Sequence, residues 1–82
     1  MKEAYSEMDN GLFILRLNTL IKESGLRTKE IAKLLGIDYV TLCAYRRGDS
    51  YPRLAICWQM CKLFGCSLDW LVGLTDIRKD YK

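Results

Sequence analysis

Histidine is missing from this 82-residue chain, and proline occurs once, at Pro52. Without an imidazole, the chain lacks the side chain that most often moves protons or holds a metal near neutral pH. Its six glycines are scattered singly, so no glycine-rich phosphate loop is present. No nucleophile can be placed beside a base, and the carboxylates sit near helix ends, where capping explains them. Catalytic activity, cofactors and small-molecule ligands are therefore not expected. Long apolar runs are also missing. Leu12 to Leu15 is a run of four, against the roughly 18 that a membrane span needs. The opening MKEAYSEMDN is acidic and unlike a signal peptide, so a cytoplasmic chain with no membrane partner is expected. No internal repeat and no strand-like alternation is visible.

Four cysteines are present, at positions 43, 57, 61 and 66, but no C-x-x-C pair. Cys57 and Cys61 share a helical stripe with Leu54 and Phe64, where cysteine acts as a small buried hydrophobe. With no secretory context for disulfides and no histidine to complete a zinc set, no metal site is expected. Cys43 is the thiol expected to be most exposed.

What the chain does have is a 50% hydrophobic composition, enough for one compact domain near the lower size limit for unaided folding. The organising stretch is Thr28 to Pro52, TKEIAKLLGIDYVTLCAYRRGDSYP. It reads as two short helices joined by a turn of about three residues. Ile31, Leu34 and Leu35 form the apolar stripe of the first, and Gly36 stops it. Asp38 is placed to cap the second, whose inward face is Leu42 and Tyr45. Helices this short need flanking segments to cover them. The pattern is a helix-turn-helix, in which the second helix can enter the DNA major groove.

Around this pair the sequence predicts three more helices. The first follows a cap at Asp9 or Asn10 and runs to about Ser24, with Phe13, Leu17, Leu20 and Ile21 inward. Another runs from about Arg53 to Phe64 with Leu54, Cys57, Cys61 and Phe64 toward the core and Met60 alongside. A short last helix, Leu68 to Val72, is capped by Ser67. The expected fold is all-α, a compact five-helix domain over residues 9–76, with a flexible arm at 1–8 and a tail at 77–82. Charge supports an anionic partner. Residues 27–53 hold six cations and three anions, a net +3 equal to that of the whole chain, whereas residues 1–10 carry −2.

These residues resemble the lambda-repressor-like, Cro/C1-type helix-turn-helix proteins over about residues 12–76. Phe13, Arg16, Leu17 and Leu20 match, as do Gly25-Leu26, Glu30-Ile31-Ala32, Leu35-Gly36-Ile37, Thr41-Leu42, Tyr45, Gly48 and Pro52. The ending SLDWLVGLTD, Ser67 to Asp76, matches too. The resemblance implies a five-helix fold, binding of double-stranded operator DNA as a homodimer, and transcription regulation as a phage or mobile-element type repressor. It places base reading on Tyr39, Val40 and Ala44. Thr41 reads a base, approaches a phosphate or packs. Phosphate contacts fall on Thr28, Arg47 and Arg53, within a basic frame that includes Arg27 and Lys29.

The departures from the family shape the expectation. Thr28 stands where glutamine is usual, and Arg27 where a serine or threonine cap is usual. An arginine–glutamate pair between helices 1 and 3 is replaced by Ile21 and Arg46. No buried charge is left unpaired there, and Arg46 faces phosphate or solvent. Asp49-Ser50 replaces a Lys-Arg, which weakens non-specific affinity. None of Tyr39, Val40, Cys43 and Ala44 is a residue that reads guanine or adenine edges bidentately. That leaves a second reading open, a helix-turn-helix module for protein contact of antitoxin-like or anti-repressor kind. Trp70 is expected in the core, and Trp58, off the stripe, half exposed at a possible dimer contact.

Overall fold

The computed structural model describes residues 9–78, so the proposed arm at 1–8 and residues 79–82 lie outside the described part. Five helices follow in order: α1 (Asn10–Ser24), α2 (Thr28–Leu35), α3 (Tyr39–Arg47), α4 (Leu54–Phe64) and α5 (Leu68–Leu71). Among the described residues no helix is long and apolar enough to cross a membrane.

Local chemistry sets the helix starts. The Asp9 carboxylate accepts the Leu12 N–H at 3.0 Å and opens α1, and the Ser67 hydroxyl accepts the Trp70 N–H at 3.3 Å and opens α5. At α2 the cap residue is Arg27, whose side chain has no acceptor. Glu30 compensates by reaching back to take the Arg27 N–H at 2.9 Å. Asp38 occupies the cap position of α3, and its carbonyl accepts the Leu42 N–H at 3.1 Å. Its carboxylate, contrary to the sequence expectation, makes no capping bond and is solvent-exposed. The turn Gly36–Asp38 is closed by Gly36 at φ 72° and by an Ile37 N–H to Ala32 carbonyl bond of 3.0 Å.

Packing follows the helical period, with two corrections. On α2 the buried residues are Ile31, Ala32 and Leu35, while Leu34 is 60% exposed. At 100° per residue, Leu34 falls about 110° from the centre of that face, so Ala32 takes its place. On α4 the buried residues are Ile56, Cys57, Met60 and Cys61, and Leu54 is 73% exposed. Leu54 sits in the first turn, about 90° off the buried face. Phe64 packs against the core as expected, and Trp70 is buried. Cys57, Cys61 and Cys66 are buried and Cys43 is half-buried.

The largest polar investment in the core is Arg16, buried on α1. Its guanidinium donates to the Trp70 carbonyl, to the Thr75 carbonyl at 2.9 Å and to Asp76 at 3.1 Å. It also lies 4.8 Å from the Trp70 ring centroid. Arg78, assigned from sequence to the tail, lies 5.0 Å from the same ring and pairs with Glu23 at 2.8 Å. The segment after α5 is thereby fastened back onto α1.

The Asp76 carboxylate is 98% exposed, so water screens its pairing with Arg16 and the two carbonyls carry most of the stabilisation. Replacing Arg16 with Ala is expected to lower unfolding free energy by about 3 kcal/mol. Asp76→Ala should cost below about 1 kcal/mol. Urea denaturation followed by circular dichroism measures both. Burial pushes the Cys61 thiol up to about 12, with Cys66 beside it adding to the effect, and burial also raises Cys57. Alkylation at about pH 8 should therefore label Cys43 first in the folded chain and reach Cys57, Cys61 and Cys66 only once urea is added, as read by mass spectrometry.

Candidate nucleic-acid interface

The orientation of α3 is fixed by its inward residues, Leu42 and Tyr45, which are both buried. With those locked, helical spacing turns Tyr39, Val40, Cys43, Ala44 and Arg47 outward. Val40 is 72% exposed and Tyr39 45%. Thr41, Cys43 and Ala44 are half-buried. Of the four residues expected to read bases, Tyr39, Val40 and Ala44 lie on the outward side, with Val40 protruding most, and Thr41 sits at the edge of the inward face beside Leu42.

Tyr39 links the two helices of the pair. The Lys29 ammonium on α2 lies 5.6 Å from its ring centroid. Hydrogen bonding to Cys43 raises the Tyr39 phenol above its ordinary value. Like any tyrosine hydroxyl at neutral pH it can donate as well as accept.

The cations divide into two groups. Arg27, Lys29, Arg47 and Arg53 are exposed, with Arg27 and Arg53 at the first residues before α2 and α4. Arg47 holds Asp49 at 2.9 Å, with both side chains about 60% exposed. Arg46, by contrast, is turned inward. Its Nε donates to Asn18 Oδ1 at 2.6 Å and its Nη1 to the Thr28 hydroxyl at 2.7 Å. Asn18 in turn donates to the carbonyls of Ile14 at 2.9 Å and Arg46 at 3.2 Å. This network ties α1, α2 and α3 together. Facing phosphate or solvent was the expectation for Arg46; a hydrogen-bonded bridge is the finding, because Asn18 on α1 supplies a carbonyl oxygen at the right height. Thr28 accepts from Arg46, which leaves its own O–H as the donor for an anion.

Asn18 is the residue that sequence reasoning missed. Its only signal was a residue of low helix propensity inside a helix, spaced between Leu17 and Leu20. Asn18, Cys43, Arg46 and Arg47 line a shallow open depression of about 310 Å³ between α1 and α3. Both guanidiniums at its wall already have partners, Arg46 in Asn18 and Thr28 and Arg47 in Asp49. Among the described residues no group of three or more histidines, cysteines and acids is arranged to hold a metal ion.

Gly48 closes α3 at φ 83°, a left-handed turn that favours glycine. A Cβ there would fall 2.5 Å from the Ile14 Cδ1 methyl, the mobile end of a side chain that can turn aside, so the backbone angle and not the contact calls for glycine.

A helix-turn-helix family model matches residues 17–71, which is most of the chain. No match is found among curated protein sequences. Three solved structures are similar. The SOS-response transcriptional repressor LexA from Eubacterium rectale is 25% identical with a TM-score of 0.74, over 78% of this chain and 68% of that one. The P22 c2 repressor, solved with a synthetic operator, is 22% identical with a TM-score of 0.71, over 76% of this chain and 94% of that one. A transcriptional regulator from Listeria innocua is 34% identical with a TM-score of 0.70, over 74% of this chain. This chain spans 57% of the Listeria protein's length. The arrangement of α2, the glycine turn and α3 on a five-helix frame is thus a shared one, and the chain belongs to the helix-turn-helix family in its lambda-repressor-like, Cro/C1-type form.

Proposed function

We propose that this chain is a DNA-binding transcriptional regulator that lays α3 in the major groove and acts as a repressor of phage or mobile-element type. The observation that carries the reading is the outward ridge of α3, Tyr39, Val40 and Ala44, flanked by exposed Lys29, Arg47 and Arg53. The similar repressor and regulator structures support it. Val40 and Ala44 suit thymine methyl groups, and the Tyr39 hydroxyl suits an acceptor on a base edge. Arg47, Arg53 and the Thr28 hydroxyl suit phosphate oxygens on either side of the groove. A homodimer over an inverted repeat, with half-sites about 34 Å apart, fits a single short reading helix.

A second reading is kept because the ridge is apolar. With no arginine, lysine, glutamine or asparagine among Tyr39, Val40, Thr41 and Ala44, the same ridge suits a protein partner of antitoxin-like or anti-repressor kind. Selection of bound duplexes from a randomised pool at near-physiological salt separates the two. Recovery of a motif supports DNA reading. Absence of any retained duplex moves the assignment to the protein partner.

The two groups of arginines behave differently on the DNA reading. Arg47→Ala and Arg53→Ala should each weaken binding to all sequences and flatten the salt slope by about one unit. Arg46→Ala should instead lower folding stability by about 2 kcal/mol, because Asn18 and Thr28 lose a charged donor. Titrations at several salt concentrations, together with urea unfolding, distinguish these effects. Ala44→Gln should shift the preferred site toward adenine at one position while leaving the salt slope alone; repeating the selection with the variant reads this directly.

A further inference from the structure

The α1 and α4 helices each end at a glycine in the left-handed conformation, Gly25 and Gly65, both at φ 71°. Neither glycine brings a side chain to fill the space past the last turn. There the two helix ends and the segment after α5 border a cavity of about 390 Å³, lined by Leu20, Glu23, Leu26, Leu63, Phe64 and Arg78. That volume lies near the lower end of the roughly 300–1,000 Å³ of small-molecule sites. The expectation of no small-molecule ligand rested on motifs within short stretches, whereas this cavity is assembled from residues 20 to 78.

Its wall has an apolar part and a charged part. Leu20 is buried and Phe64 half-buried, while Leu26 and Leu63 are left open to solvent inside the concavity. Ser24, also in the wall, is already engaged. Its hydroxyl donates to the Ile21 carbonyl at 2.7 Å and accepts the Leu26 N–H at 3.1 Å. The charged part is the ion pair in which Arg78 Nη1 donates to Glu23 at 2.8 Å. The Glu23 side chain is 51% and that of Arg78 31% exposed, so water screens the pair and a guest can part it at little cost.

We propose that this cavity binds a free α-amino acid with an apolar side chain, its ammonium on Glu23, its carboxylate on Arg78 and its side chain among Leu20, Leu26, Leu63 and Phe64. Three observations favour a zwitterion over an ion of one sign. Opposite charges border the same apolar wall, and an apolar amino acid carries both signs at one end and its hydrocarbon at the other. Arg78 is held in place by its stack on Trp70, 5.0 Å from the ring centroid, which limits the ordering that binding requires. The carboxyl ends of two helices border the cavity, and their dipoles favour a cation beside Glu23.

Heteronuclear NMR titration of the full chain without DNA, with leucine and with phenylalanine to about 10 mM, tests the assignment. Saturable shifts are expected at the methyl groups of Leu20, Leu26 and Leu63 and at the Arg78 side chain, with a Kd on the order of 0.1–1 mM. Glu23→Gln and Arg78→Gln should each weaken binding about tenfold while circular dichroism stays native. Leucine methyl ester, without the carboxylate charge, and isocaproate, without the ammonium, should bind about tenfold more weakly than leucine. Glutamate and lysine, whose charged side chains would be buried against leucines, should give no saturable shift. A native chain that shows no saturable shift with either apolar amino acid would overturn the proposal. So would variants that bind as the native chain does, or singly charged analogues that bind as leucine does. The titration involves no DNA, so its failure is distinguishable from a failure of the DNA reading.

Discussion

Three of the five helices, including the one that carries the proposed reading ridge, are too short to be stable by themselves. The α2, α3 and α5 helices have eight, nine and four residues, all below the length at which an isolated helix persists in water. Their positions therefore depend on α1, the one helix of fifteen residues. Two of its polar side chains, Arg16 and Asn18, do what apolar packing alone does not. Apolar packing turns Leu42 and Tyr45 inward, and directed hydrogen bonds from Arg16 to the end of α5, and from Asn18 to α3, add fixed anchor points on α1. Arg46 and Thr28 extend that second bond to α2. The rigid presentation of the α3 ridge follows from this arrangement.

Much of the fold was legible in the sequence because its signals are local. Gly36 ended α2 where it was expected, and Asp9 and Ser67 capped α1 and α5, because a cap involves only the residues within one turn. What failed was facing at helix edges. Leu34 and Leu54 are apolar residues placed inward by spacing, yet exposed, because a stripe read from sequence is broader than the groove that receives it. The inward turn of Arg46 was not legible for a different reason. Its partners lie eighteen and twenty-eight positions away, and nothing near it in sequence announces them.

Charge gave a true but incomplete signal. The net +3 of residues 27–53 counted six cations as equivalent. In the folded chain Arg46 is consumed by an internal network and Arg47 is shared with Asp49, so the cationic frame open to a partner is smaller than the count implies. The apolar ridge of α3 and the apolar face of α4 are likewise two surfaces that composition merges into one hydrophobic fraction. Only the packing of Leu42 and Tyr45 on one side, and of Ile56 and Met60 on the other, separates them.

The Arg47–Asp49 contact has a kinetic meaning. A carboxylate at 2.9 Å occupies the place on the guanidinium that a phosphate oxygen would take. The loop thus carries its own competitor, two residues from the cation it shields. On the DNA reading proposed above, exchanging Asp49 for phosphate on random duplex would yield little, whereas at a site that also fits the α3 ridge base contacts would add to the exchange. A shielded arginine of this kind would favour scanning of DNA over tight holding, so that a search along the duplex would end chiefly where the sequence fits.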